Sequence, residues 1–237
     1  MAAVRAIAAG LPIISTEVMN MQTISIIGGT GSLGSGLAWR WALAGHNVII
    51  GSRDAARAQE TAAAINARLG KEQAQGMDNL AAAEAGEIVV LTIKFAHQAS
   101  TLEQLHDAAQ GKIVVDTTVP LVPPKVARVQ LPAEGCAAVI TQKLLGDNVR
   151  VVSAFQNIAA DSLPLDEAIT CDVLVTGDSK EARQLVVDIA KDGGMQAWHA
   201  GPLANSAAAE AMTSLLIHLN KQFPGAHTGI KITGVPE

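Results

Sequence analysis

The sequence contains no tyrosine, few aromatic residues and little charge. Aromatic residues make up 3% and charged residues 16% of the 237 residues, whereas hydrophobic residues reach 49%. Short-chain dehydrogenases depend on the acid–base chemistry of a tyrosine in a Tyr-x-x-x-Lys motif. That class of enzyme is therefore excluded. The length suits one compact α/β domain, or a domain with a small second lobe.

Positive charge and cysteine are scarce as well. The net charge is −5 and the isoelectric point is near 5.7, whereas nucleic-acid-binding proteins neutralise phosphates with a basic face. We therefore expect no nucleic-acid partner. Cys136 and Cys171 lie far apart and outside any Cys-x-x-Cys pattern, which indicates reduced, structural thiols in a cytoplasmic protein. The histidines show no metal-ligand spacing, so no metal is predicted.

No apolar stretch reaches the length of a membrane span without a charge or a helix breaker, so no membrane partner is expected. Residues 1–20, "MAAVRAIAAGLPIISTEVMN", contain a short apolar run that Gly10-Leu11-Pro12 interrupts, and no Ala-x-Ala cleavage site follows it. We expect residues 1–20 to form a disordered N-terminal extension.

Apolar, β-branched runs alternate with alanine-rich stretches of helical length. The predicted strands are "TISIIGG", "NVIIGS", "EIVVLTI", "KIVVDTT", "VRVVSAF" and "DVLVTGD", and the predicted helices cover residues 33–44, 55–69, 96–109 and 205–223. Continuous hydrophobicity is typical of strands that are buried on both faces of a parallel sheet. The alternation predicts a doubly wound α/β fold of the Rossmann type with a small C-terminal lobe.

A glycine-rich segment directly follows the first predicted strand. Gly29-Thr30-Gly31-Ser32-Leu33-Gly34 fits the pattern Gly-x-Gly-x-x-Gly and opens the first predicted helix, which is the context that a dinucleotide-binding motif requires. Gly29 would allow the tight turn, Gly31 would admit the pyrophosphate and Gly34 would let helix and strand pack closely. A purely structural glycine turn is the alternative.

The end of the second predicted strand indicates which dinucleotide binds. NAD-dependent enzymes usually carry an acidic residue there for the ribose hydroxyls, but this chain has Gly51-Ser52-Arg53, with Arg57 one helical turn later. A hydroxyl and two guanidinium groups bind a 2′-phosphate through charge-assisted hydrogen bonds. We therefore predict NADP rather than NAD, with solvated helix-start arginines as the alternative.

Several motifs together resemble one family, the NADPH-dependent reductases of the deazaflavin coenzyme F420. They are "GGTGSLGSGLAWR", "GSR", "VVLTI", "VVSAFQNI", "AGPLANS" and "GIKIT", and the resemblance covers the chain from about residue 21 to residue 232. It implies an oxidoreductase that passes a hydride directly between NADP(H) and F420, without a catalytic side chain. It also implies a homodimer, an NADP-binding Rossmann domain at residues 21–148, and a lobe at 149–237 that completes the substrate pocket.

The resemblance also implies the roles of individual residues. The cofactor-binding set would be Gly29, Thr30, Gly31, Ser32, Leu33, Gly34, Ser52, Arg53, Arg57, Ile93, Val119 and Ala160. The substrate-binding set would be Ala154, Gln156, Asn157, Ile158, Leu203 and Asn205. Transfer between stacked rings requires alignment and exclusion of water more than a strong acid or base.

Two further functions remain open from the residues alone. One is an NADPH-dependent flavin or ferric reductase, and the other is a sensor that binds NADP without catalysis.

In the first predicted helix, Trp39 and Trp41 stand two positions apart and cannot share a face. We expect one of them in the core and the other exposed or at an interface.

Overall fold

The computed structural model describes residues 21–165 and 168–235, so the predicted N-terminal extension at residues 1–20 lies outside the described residues. The strands are β1 Thr23–Ile27, β2 Asn47–Ser52, β3 Ala74–Asp78, β4 Ile88–Leu91, β5 Ile113–Asp116, β6 Arg150–Ser153, β7 Asp172–Gly177 and β8 Gln196–His199. The helices are α1 Ser32–Ala44, α2 Ala55–Leu69, α3 Asn79–Ala85, α4 Gln98–Leu105, α5 Ala137–Leu145, α6 Lys180–Asp192 and α7 Ser206–Gln222.

The strands form one sheet in the order β3-β2-β1-β4-β5-β6-β7-β8. Strands β1 to β6 are parallel, β7 pairs antiparallel with β6, and β8 runs parallel to β7. The order 3-2-1-4-5-6 is that of the dinucleotide-binding doubly wound fold, which confirms the predicted fold class. The division into a domain at residues 21–148 and a lobe at 149–237 stays a prediction, because the later part continues the same sheet with β6 to β8.

All six predicted strands are present, and the predicted helix at residues 55–69 matches α2. The helix predicted at residues 96–109 is shorter, because a 3₁₀ turn at Phe95–His97 precedes α4. The strands β3 and β8 were not predicted, and neither were α3, α5 and α6. Both missed strands lie at the edges of the sheet and lack a β-branched run: they read AQGMD and QAWH.

Two apolar layers cover the faces of the sheet. Ile26 of β1 packs in a cluster with residues of α1 and α6, and the next residue, Ile27, packs in a cluster with residues of α4 and α5. This alternation follows from the pleat, which points successive side chains to opposite faces. No helix in the described ranges is both long and apolar enough to cross a bilayer.

The prediction that one of the two tryptophans is exposed or at an interface was wrong, because both are buried. Trp41 donates its indole N–H to the carbonyl of Ile189 at 2.8 Å and meets the ring of Phe155 edge to face. Trp39 is 6% exposed and lies beneath the guanidinium of Arg68. The physical reason is that α1 contacts both α2 and α6 besides the sheet, so more than one of its faces is covered.

Candidate active site

The turn between β1 and α1 requires glycine at two successive positions. Gly28 has a φ of +76°, the left-handed region that favours glycine, and its N–H donates to Oδ1 of Asn79 at 3.3 Å. Gly29 donates to the carbonyl of Gly51 at 2.9 Å, and a Cβ there would lie 2.7 Å from the carbonyl oxygen of Ile26. Gly28 is therefore the left-handed residue of the turn, while Gly29 is held by close backbone approach.

The other two glycines of the motif differ in their surroundings. A Cβ on Gly34 would lie 2.7 Å from both Cα of Gly29 and Oγ1 of Thr92, so α1 packs tightly on the strand ends here. A Cβ on Gly31 would meet nothing closer than the carbonyl oxygen of Gly28 at 3.5 Å. The protein itself leaves space beside Gly31, where a pyrophosphate would fit.

The N-terminus of α1 is open to an anion. Gly31 is its N-cap and no side chain caps the helix, and the first turn contains no acidic residue. The first N–H groups of a helix have no intrahelical partner, and the helix dipole adds partial positive charge there. The turn therefore presents N–H groups of Ser32, Leu33 and Gly34 to a phosphate-bearing ligand, with Thr30 in the turn just before them.

The predicted 2′-phosphate residues meet at the end of β2. Ser52 ends the strand, and its buried Oγ accepts from the N–H of Asp54 at 3.2 Å, which leaves the hydroxyl free to donate. Asp54 is the N-cap of α2 and accepts from Ala56 at 3.1 Å. Arg53 and Arg57 are exposed, and neither guanidinium group has a hydrogen bond or ion pair within residues 21–165 and 168–235. Both guanidinium groups are available to a ligand.

Ile93 and Val119 follow the ends of the neighbouring strands β4 and β5. Ile93 is half-buried, and its Cγ2 lies 3.1 Å from the position of a Cβ on Gly28. Val119 is half-buried as well, in the segment after β5. The carboxyl ends of parallel strands share one edge of the sheet, where ligands of this fold bind. The structure thus brings Ile93 to the glycine turn and Val119 to the same edge.

The loop after β6 lies against the first half of α1. Its Phe155 has a φ of +71°, a conformation that non-glycine residues rarely adopt and that often marks a functional site. Half-buried Ala160 begins a 3₁₀ turn, Ala160–Ser162, and Leu163 behind it packs against Gly36 of α1. Arg40 holds this loop through a 2.7 Å bond to the carbonyl of Leu163.

The predicted substrate-binding residues divide between the two faces of the sheet. Ala154 and Ile158 are buried in the cluster that contains residues of α1, whereas Leu203 is buried in the cluster on the other face. Asn157 donates to the carbonyl of Ala209 at 2.9 Å, and exposed Asn205 donates to that of Ala200 at 2.7 Å. Their roles toward a substrate stay predictions.

A buried polar cluster lies beside these residues, and the sequence did not reveal it. Asp116, at the end of β5, is fully buried and accepts from Gln98 at 3.0 Å, Thr141 at 2.6 Å and the N–H of Thr118 at 2.8 Å. Burial raises the pKa of the Asp116 carboxyl. A single acid that ends an apolar strand, "IVVD", was the only sequence signal for it.

A second buried carboxylate, Glu210 of α7, faces the N-terminus of α5. It accepts from the N–H groups of Ala137 at 2.7 Å and Ala138 at 3.1 Å and from the hydroxyl of Ser206 at 2.8 Å. Burial raises the pKa of Glu210 to about 7, against the effect of these hydrogen bonds. Ser206 is in turn hydrogen-bonded to Ser153 at the end of β6.

Comparison with known proteins gives consistent results. Residues 23–120 match the family described as "NADP oxidoreductase coenzyme F420-dependent". The F420-dependent NADP reductase of Methanocaldococcus jannaschii is 38% identical over 221 residues, which cover 90% of this chain and 98% of that protein. The F420-dependent NADP reductase of Methanothermobacter thermautotrophicus is 38% identical over 229 residues, covering 93% of this chain and 98% of that protein.

A solved structure shares the fold. It is that of a protein from Arthrobacter sp. FB24 proposed to be an F420-dependent NADP reductase, with a TM-score of 0.73 and 23% identity. The match covers 90% of this chain and all of that one. The similarity therefore extends through β7, β8 and α7 and is not confined to the dinucleotide-binding half.

Proposed function

Because the chain belongs to the family of F420-dependent NADP reductases, we propose that it catalyses hydride transfer between NADP(H) and coenzyme F420. The observation that carries this proposal is the combination of an uncapped helix N-terminus, open space at Gly31 and two free guanidinium groups at one edge of the sheet. The relatives supply the second substrate. No feature of the described residues favours a flavin or iron as acceptor over F420.

The chain contributes binding and alignment to this reaction. The N–H groups at the start of α1 hold the pyrophosphate, and Ser52, Arg53 and Arg57 hold the 2′-phosphate. When bound, the nicotinamide supplies a hydride that the deazaflavin accepts. Ile93 and Val119 give the nicotinamide ring apolar contacts, and the loop around Ala160 limits the space for the second ring. Such positioning replaces acid–base catalysis at the reacting carbon atoms.

The direct test is NADPH oxidation with F420, compared with FMN and ferric citrate under the same conditions. Turnover with F420 well above that with the other acceptors is expected. Turnover with FMN or iron but none with F420 would identify a flavin or ferric reductase, and tight NADPH binding without any turnover would identify a sensor.

Cofactor selectivity follows from the end of β2. Arg53→Ala is expected to weaken NADPH binding about 10- to 100-fold, because a charge-assisted phosphate contact contributes about 1.5–3 kcal/mol. NADH has no 2′-phosphate, so its affinity should change little. Titration of wild type and variant with both nucleotides measures the effect.

Arg150→Ala is a charge-matched control for this experiment. Arg150 is exposed at the start of β6, on the edge of the sheet opposite the strand ends that carry the site. Its substitution removes one positive charge, as Arg53→Ala does, and should leave NADPH affinity unchanged. Equal affinities of the wild type for NADH and NADPH would contradict the 2′-phosphate assignment.

We further propose that the enzyme acts as a homodimer in the cytoplasm and binds no nucleic acid. Exposed Leu215 and Leu219 lie one turn apart on α7, and exposed Phe223 directly follows the helix, so together they offer an apolar surface for a second copy. The net charge of −5 disfavours a polyanionic partner. Light scattering should give about twice the 24.4 kDa chain mass, and the mass of a single chain would contradict the dimer.

A further inference from the structure

A chain of hydrogen bonds connects Glu210 to Gln156, one of the predicted substrate-binding residues. The amide nitrogen of Gln156 donates to Oγ of Ser153 at 2.7 Å, Ser153 bonds Ser206, and Ser206 donates to Glu210 at 2.8 Å. Because the Ser206 hydroxyl donates its hydrogen bond to Glu210, its oxygen must accept from Ser153. All donors in the chain therefore point from Gln156 toward the carboxylate.

The orientation of the Gln156 amide is fixed by obligatory acceptors. Its nitrogen also donates to the backbone carbonyl of Asp116 at 2.9 Å, a group that can only accept. The amide nitrogen must therefore face inward, and Oε1 must face the other way. Gln156 is 7% exposed, and no described residue donates to its Oε1.

An ionised Glu210 ends this chain of hydrogen bonds with a group that only accepts, and so fixes the direction in which each hydroxyl donates. Its two oxygens accept from the N–H groups of Ala137 and Ala138 and from Ser206, and a carboxylate can only accept. The N-terminus of α5 lacks any other side-chain cap, so its partial positive charge favours the ionised form. Two other titratable groups face this carboxylate, Asp116 and Cys136.

We propose that Glu210 is a positioning residue for the second substrate, acting through Ser206 and Ser153 to hold Gln156 with its carbonyl oxygen toward the bound ring. This inference rests on the proposed function. It specifies that Gln156 accepts a hydrogen bond, so the ring edge it faces must carry an N–H, as the pyrimidine part of a deazaflavin does.

The variant Glu210→Gln replaces the carboxylate that ends the hydrogen-bond chain with an amide of the same size. An amide has one accepting oxygen and one donating nitrogen, so its NH2 group must face a donor, either an N–H group of α5 or the Ser206 hydroxyl. We expect the KM for F420 to rise about tenfold, equivalent to the loss of one hydrogen bond to a polar partner, with the Kd for NADPH unchanged. Ser206→Ala interrupts the chain without touching the bonds of Glu210 to α5 and should have the same effect.

The pH profile gives a readout that a purely structural role would not change. Burial raises the pKa of Glu210 to about 7, so protonation below that pH adds an O–H donor to a carboxyl group whose two oxygens otherwise only accept, from Ser206 and from α5. The KM of the wild type for F420 should rise as the pH falls through about 7, and the ratio of variant to wild-type KM should fall toward one. Taking the ratio cancels any ionisation of F420 itself.

Asp172→Asn is the matched control. Asp172 is also a buried carboxylate, but it accepts from Trp198 and from the N–H of Ile232, neither of which belongs to the hydrogen-bond chain between Glu210 and Gln156. Its loss should lower thermal stability and leave both the KM for F420 and its pH profile as in the wild type.

Nuclear magnetic resonance of the glutamine side-chain amides tests, without requiring turnover, whether Glu210 holds the Gln156 side chain in place. In the full-length wild type, the Gln156 N–H signals, identified by their loss in Gln156→Ala, should be protected from solvent exchange. That protection should fall in both Glu210→Gln and Ser206→Ala. Unchanged Gln156 signals in both variants, or changed signals with a wild-type KM for F420, would each overturn the proposal. A wild type that does not turn over F420 would instead refute the proposed function, and the amide signals would still decide whether Glu210 holds Gln156.

Discussion

Gly31→Val is expected to abolish NADPH binding while the fold remains intact. The backbone of Gly31 is extended, with φ −79° and ψ 164°, and a Cβ there meets its nearest atom at an ordinary 3.5 Å. Valine therefore fits the protein. Its methyl groups would occupy the space in front of the α1 N-terminus and keep the pyrophosphate away from the N–H groups. Loss of two such charge-assisted bonds corresponds to at least about 100-fold in affinity.

The measurement is an NADPH titration of wild type and variant by calorimetry, with circular dichroism and thermal melting to check the fold. Gly34→Ala is the informative counterpart, because its Cβ would lie 2.7 Å from Gly29 and Thr92. That variant should lose stability, by about 1–3 kcal/mol for overpacking. If Gly31→Val melts like the wild type and binds NADPH with full affinity, the nucleotide does not bind at this turn.

The contrast between these two glycines also shows what the sequence could predict. The glycine motif, the Ser52-Arg53 strand end and the buried central strands depend on local order: strand, turn and helix follow one another within a few residues. Such features can be predicted from the sequence without knowledge of distant contacts. The motif fixes the spacing of the glycines but not their individual backbone angles. It therefore did not show that Gly28, rather than Gly29, adopts the left-handed conformation.

The buried polar cluster required tertiary structure. Asp116 and Glu210 are nearly a hundred positions apart in the sequence, and each stands alone among apolar or small residues. Nothing local shows that Glu210 caps α5 in place of a residue near that helix start. The edge strands β3 and β8 were missed for a related reason. They pair on one side only, so their sequences did not need the continuous apolar pattern of a central strand.

Turnover with F420 should be lost in Ala160→Trp, although NADPH still binds. Ala160 is half-buried at the start of the 3₁₀ turn that ends beside Leu163, and Leu163 lies against Gly36, one turn into α1. Three residues of a 3₁₀ turn span only about 6 Å. Ala160 therefore lies close to α1, the helix whose N-terminus is proposed to hold the pyrophosphate.

A tryptophan at this position would fill the space that the stacked ring needs. Hydride transfer requires the reacting atoms to lie about 3–3.5 Å apart, and a displacement of about 1 Å costs on the order of 100-fold in rate. We therefore expect kcat with F420 to fall at least about 100-fold, while the NADPH affinity, which depends on phosphate contacts at α1 and β2, changes little. Ala64→Trp, on the exposed face of α2, adds the same ring away from the site and should retain activity. Full turnover in Ala160→Trp would show that the deazaflavin binds elsewhere, whereas loss of NADPH binding along with turnover would place Ala160 against the nucleotide alone.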